Sequence, residues 1–252
     1  MLQKHGADTE GVKRKFPSGD LETSLQDYCP VHKRLRVDDD SKIGEALATM
    51  LDESHQHNAS EVVAAMSRIC ALYPTQQPSV QTALSAAFVA RGGISATLAG
   101  MALHAGEKFL VGACELLICV MQGIQEGFER WSPCVEGVVA AMTAHGGCGK
   151  LQMLGCAVLV YVSADYATHA RMAQSGVVAA VALAMRRHPA HAKLQYNAIS
   201  LLSQLSNMSL PGFKEVPAET TSVVHEAVRA MLSETPTVLA SVMAAMRMHS
   251  RL

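Results

Sequence analysis

Three runs of residues in this chain share one spacing at one interval, and that coincidence restricts the fold more than any other feature. Phe109, Ala113, Leu117 and Val120 are followed by Leu151, Gly155, Leu159 and Val162, then by Leu194, Ala198, Leu202 and Leu205. Each set steps by 4, 4 and 3, which puts its four members on one face of a helix. The sets begin 42 and 43 residues apart. Their second member is Ala, Gly, Ala, as expected where a neighbouring helix crosses closely. An apolar segment precedes each set: "GGISATLAGMALH" at 92–104, "EGVVAAMTAH" at 136–145 and "SGVVAAVALAMRRH" at 175–188. These read as second helices that close on a repeated pair, Met101/His104, Met142/His145 and Met185/His188. Short first helices fit at about 80–91, 124–134 and 165–174, each ending near a glycine that can cap it.

At the front, "KIGEALATML" and "EVVAAMSRICALY" read as a partial unit capping a stack, and "SVVHEAVRAM" with "VLASVMAAMRMH" as a fourth unit behind it whose first helix is degraded. Three helices every 42 or so residues is the period of armadillo arrays. The chain resembles the armadillo-repeat family, best at 165–207, "DYATHARMAQSGVVAAVALAMRRHPAHAKLQYNAISLLSQLSN". There the first helix ends in A-x-x-G, the second closes on a Leu/Met pair, and the third has the form L-Q-x-x-A-x-x-x-L-x-x-L. The resemblance covers roughly 42–249 and is specific around 108–207. It implies an all-α fold, a right-handed α-solenoid of about four to five repeats spanning 42–252. The competing reading rests on "CAVLVYVS" at 156–163, the most strand-like run, which would make 147–186 a βα unit.

Residues 1–41 stand apart, with 7 Lys+Arg, 8 Asp+Glu, few apolar residues and no periodicity. Such a segment cannot bury enough surface to offset chain entropy, so a disordered tail is expected. The remainder balances at 14 basic against 14 acidic residues and is rich in Ala, Leu, Val and Met but poor in aromatics. That composition favours thin, closely packed helices over a sandwich of strands. No uncharged apolar run approaches the length that spans a bilayer, and the start, "MLQKHGADTEGVKRKF", lacks the apolar core of a secretory signal. Cys29, Cys70, Cys114, Cys119, Cys134, Cys148 and Cys156 include no C-x-x-C, and most fall in apolar helical patterns. They read as small buried hydrophobes in a reducing compartment.

No motif points to catalysis, and no cofactor or metal is expected. "AMTAHGGCGKLQ" at 141–152 suggests a phosphate-binding loop, but Ala144 stands where that loop needs glycine and Leu151 where it needs Ser or Thr. The stretch instead matches "AMRRHPAHAKLQ" at 184–195, so it reads as a repeat seam. His188 and His191 are separated by Pro189 and lack completing ligands. The recurrence of His104, His145 and His188 points to a helix-end role, in which His bonds free carbonyls. "HQH" at 55–57 reads as a solvated loop. Nucleic-acid binding is the rival function, but Arg186, Arg187, Arg247 and Arg251 make a thin basic stripe.

"CPVHKRLRVDDD" closely resembles a Myc-type nuclear localisation signal from Pro30 to Asp38. The resemblance implies that residues 30–38 enter importin-α, with Lys33 deepest and Arg34 and Arg36 beside it. "KRK" at 13–15 offers a second basic cluster at a 17-residue gap. The expected function is a nuclear, or alternatively cytoplasmic, protein–protein interaction scaffold that is not an enzyme. Armadillo proteins that read extended peptides carry Trp and Asn at fixed places on their third helices. Here the Trp places hold Glu115, Ala157 and Ser200, and the Asn places hold Cys119, Tyr161 and Gln204. Both ladders are missing, so these six positions are the candidate partner groove for a folded surface or an amphipathic helix near Tyr161. An import-receptor role is not expected.

Overall fold

The computed structural model describes residues 44–46, 48–50, 52, 58–124, 128–165 and 168–206. The tail at 1–41, the loop at 55–57 and the fourth unit lie outside the described residues. Among the described residues every regular element is helical, and none is a strand.

After helical residues 44–46 and 48–50, α1 runs Ala59–Leu72. Its start is set by Asn58, whose side chain accepts the amide of Glu61 at 3.4 Å. A 3-10 turn, Tyr73–Thr75, then leads to α2, Pro78–Ala90. Pro78 sits in the first turn, where a missing N–H costs no helical bond. The Tyr73 hydroxyl fastens α1 to α2 by donating to Gln81 O at 3.0 Å and by pairing with Ser85 Oγ.

Next come α3 (Gly93–Leu103) and α4 (Glu107–Gln122), then a 3-10 turn Phe128–Trp131, α5 (Cys134–Ala144) and α6 (Gly149–Val162). The described part closes with α7 (His169–Gln174), α8 (Val177–Arg187) and α9 (Ala192–Ser206). Two rows result. Helices α1, α4, α6 and α9 each pack on the next, and α3, α5 and α8 do the same beside them. The second and third helices expected around the three 4-4-3 sets are present. The strand-like run at 156–163 belongs to α6 down to Val162, so the βα alternative is excluded there.

All twelve residues of the 4-4-3 sets are buried. Leu159 is fully enclosed, and Leu202 retains 8% of its surface. Gly155 marks a close approach of α6 to α5: a Cβ there would meet Met142 Sδ at 2.6 Å, so a larger residue would force the buried Met142 side chain to move.

The first helices depart from expectation. The predicted 80–91 and 165–174 appear as α2 and the shorter α7, whereas the described residues of 124–134 form the 3-10 turn Phe128–Trp131 and then the start of α5 at Cys134. The cap residue explains part of this. Gly92 and Gly176 precede their second helices at φ 77° and 72°, a left-handed conformation that glycine adopts freely. The equivalent place, 12 residues before His145, holds Pro133 at φ −63°. Proline cannot reach positive φ, so the chain enters α5 through a right-handed turn, and α5 starts two residues before the predicted 136.

Candidate functional site

The six predicted groove positions lie on α4, α6 and α9, and the packing of the first row brings those helices side by side. The positions do not share one environment. Cys119 and Ala157 are buried, with 1% and 0% of their surface exposed, and offer nothing to a partner. Glu115, Tyr161, Ser200 and Gln204 are half-buried. Tyr161 rests against the core at the C-terminal end of α6.

Polar bonds stitch the three helices across the repeat boundaries. Lys150 Nζ lies 2.7 Å from Glu115 Oε1, joining α6 to α4. Asn197 Nδ2 donates to Met153 O at 3.2 Å, and Ser163 Oγ bonds Gln204 Oε1, joining α9 to α6 and to the turn that follows it. Lys150, the residue that gave 141–152 its nucleotide-loop look, is therefore engaged with a carboxylate.

The glycines of that stretch make room for the following unit. A Cβ on Gly146 would strike Arg187 Nη1, and one on Gly149 would crowd His188 and His191 at 3.2 and 3.3 Å. His188 Nε2 donates to Gly146 O at 2.8 Å, and His191 Nδ1 accepts the amide of Leu194 at 3.3 Å, in the first turn of α9. A shallow depression over Arg187–Lys193 marks this seam.

The helix-end histidines depart from expectation in one respect. Each is the C-cap residue of its helix, α3, α5 or α8. In α5 and α8, however, the free carbonyls at the helix end are taken by glutamines. Gln152 Nε2 donates to Met142 O at 2.8 Å and His145 O at 3.1 Å, while Gln195 Nε2 donates to Met185 O at 3.0 Å and His188 O at 2.9 Å. A carboxamide reaching from the adjacent third helix meets two carbonyls at once, which an imidazole at the cap cannot do. The histidines face elsewhere. His188 faces Gly146, His145 Nδ1 stands 3.9 Å from Glu107 Oε1, and the His104 ring lies tilted against Phe109, centroids 4.8 Å apart.

Sequence reasoning missed Gln152, Gln195 and Asn197. Their signal was present. The "KLQ" recurs at 150–152 and 193–195, and Asn197 stands where its sister helices carry Leu154 and Gly112.

Burial pushes the thiols of Cys114, Cys134 and Cys156 up to about 12, so they remain protonated and inert near neutrality. No disulfide joins any of the six cysteines among the described residues. On the far edge of the stack, partial burial alone would raise the Glu136 carboxyl. Hydrogen bonds from Arg171, its own amide and Ser175 outweigh that and hold it below the usual carboxylate range. Among the described residues no three His, Cys, Asp or Glu side chains gather as a metal would need, and no single helix is long and apolar enough to cross a membrane. Comparison with protein-family models, curated proteins and solved structures returned no match.

Proposed function

We propose that the chain is a non-catalytic protein–protein interaction scaffold or adaptor of armadillo type, working in the nucleus. The observation that carries this reading is the order of packing, in which each third helix touches the next and each second helix does the same beside it. Taken as a right-handed α-solenoid of four to five repeats, this order is quasi-one-dimensional and presents one long surface. The step from that architecture to partner binding is an analogy with the family. On this reading the partner contacts Tyr161, Ser200 and Gln204, with Glu115 at the margin, over a floor made by Cys119 and Ala157.

Photo-crosslinking residues placed at Ser200 and at Ala140, an exposed position on α5, test the assignment. Capture of a protein at 200 but not at 140 supports it, and capture at 140 alone contradicts it. Nuclear entry would rest on Lys33, Arg34 and Arg36 engaging importin-α. In a fusion too large for passive diffusion, Lys33→Ala with Arg34→Ala should shift the protein to the cytoplasm.

The second reading, a nucleic-acid-binding helical solenoid, draws on one observation. Lys108, Lys150 and Lys193 recur at one place in successive units and are exposed, as are Arg186 and Arg187 near the last of them. Glu107 and Glu115 offset part of that charge, which favours the protein-binding reading. A steep fall of affinity with salt would reverse the preference.

A further inference from the structure

We propose that Ser132 is a phosphorylation site for a proline-directed kinase, and that Arg171 of the following unit captures the phosphate. The inference is independent of the scaffold reading.

The sequence here is "WSPC", and Thr235-Pro236 is the only other Ser/Thr-Pro pair in the chain. A kinase cleft with no acceptor for the amide after the target serine selects proline, which has no N–H. Trp131 and Cys134 are fully buried anchors, while Ser132 between them is half-buried and Pro133 exposed. The turn therefore presents the dipeptide at its tip, and a kinase reaches it by lifting a short segment.

The surroundings are already arranged for an added anion. Arg171, 39 residues on, donates from Nη1 to Ser132 Oγ at 3.4 Å and from Nε to Glu136 Oε1 at 2.5 Å. Ser175 Oγ donates to the same carboxylate oxygen at 3.2 Å. The Arg171 and Glu136 side chains keep 45% and 47% of their surface exposed, so the guanidinium can turn without unpacking the core.

Transfer moves the γ-phosphoryl group of ATP onto Ser132 Oγ. The bond to the β-phosphate oxygen breaks, ADP leaves, and the hydroxyl proton passes to the kinase's base. The product carries about −1.5 to −2 charge, more than the carboxylate it competes with. Arg171 then exchanges Glu136 for the phosphate, and one bond between successive units is replaced by a stronger one that depends on modification.

The test uses the full folded chain, ATP and a proline-directed kinase that requires only Ser/Thr-Pro, with the site located by mass spectrometry. Phosphate at Ser132, lost in Ser132→Ala and Pro133→Ala, is expected. Phosphate on Thr235 alone, or on neither residue, overturns the proposal. Capture by Arg171 is read separately. Phosphorylated Glu136→Gln should melt roughly 2–4 °C above its unmodified form. Phosphorylated Arg171→Ala should not. An equal shift in both variants overturns the assignment of Arg171.

Discussion

His188 reaches back 42 residues to donate to the carbonyl oxygen of Gly146, 2.8 Å from its Nε2. Beside it, Gln195 closes the end of α8 as Gln152 closes the end of α5 one unit earlier. These two units thus cap their own second helices, and the last described one also ties itself to the one before.

The glutamine caps are testable one at a time. Gln152→Leu keeps the volume but leaves the Met142 carbonyl buried without a donor. A loss of about 1–3 kcal/mol in chemical denaturation is expected, and Gln195→Leu should behave alike. A neutral result for both would mean that these carbonyls find other partners.

Leu159 sits at the centre of the middle set and is fully enclosed. Leu159→Ala should cost roughly 2–5 kcal/mol. Because the units lean on one another, hydrogen-exchange protection should fall in α4 and α9 as well as in α6. Loss confined to α6 would show that the units are not coupled.

The Glu136–Arg171 pair should show its presence in acid. Since the folded carboxyl lies below its ordinary value of 4.5, its contribution is complete above that pH. It is lost as the pH falls through the folded value. Both groups are about half exposed, so Glu136→Gln should cost less than about 1 kcal/mol at neutrality. The difference between wild type and variant should shrink as the pH drops, measured by denaturation across that range.

Tyr161 separates binding from packing. It is half-buried against the core, so Tyr161→Ala should cost about 1–2 kcal/mol of stability, near half the loss for a fully buried aromatic. If it also anchors the partner captured at Ser200, affinity should fall by about 2 kcal/mol. Stability and affinity measured on this one variant distinguish the two roles.

What the sequence made legible was what repeats within one helix. The 4-4-3 sets identified three buried faces, and Gly155 marked the close approach to α5 before any coordinate was known. Contacts that span units were harder to read. A 3.6-residue period says which face is buried but not that Gln152 reaches Met142, or that His188 reaches Gly146. The 3-10 turn Phe128–Trp131, where a first helix was expected, has a local cause: Pro133 stands at the place of the capping glycine, and the periodicity around it is too short to show the change. The six proposed groove positions fall on three adjacent helices as their spacing implied, but how deep each lies was not legible. Cys119 and Ala157 are small, and whether a small residue lines a groove or lies beneath it depends on the larger side chains of neighbouring helices.

The stacked order of the units is the central claim, and distances between equivalent residues test it most directly. Spin labels would be placed pairwise at 108, 150 and 193, with Cys29 and the partly exposed Cys70 and Cys148 replaced by serine; Cys114, Cys119, Cys134 and Cys156 are buried from the label. Adjacent packed helices lie about 8–10 Å apart, so the 108–193 separation should be about twice either adjacent step, on the order of 20 Å. A 108–193 distance no longer than one step would place α9 against α4, as in a closed bundle, and would contradict the account.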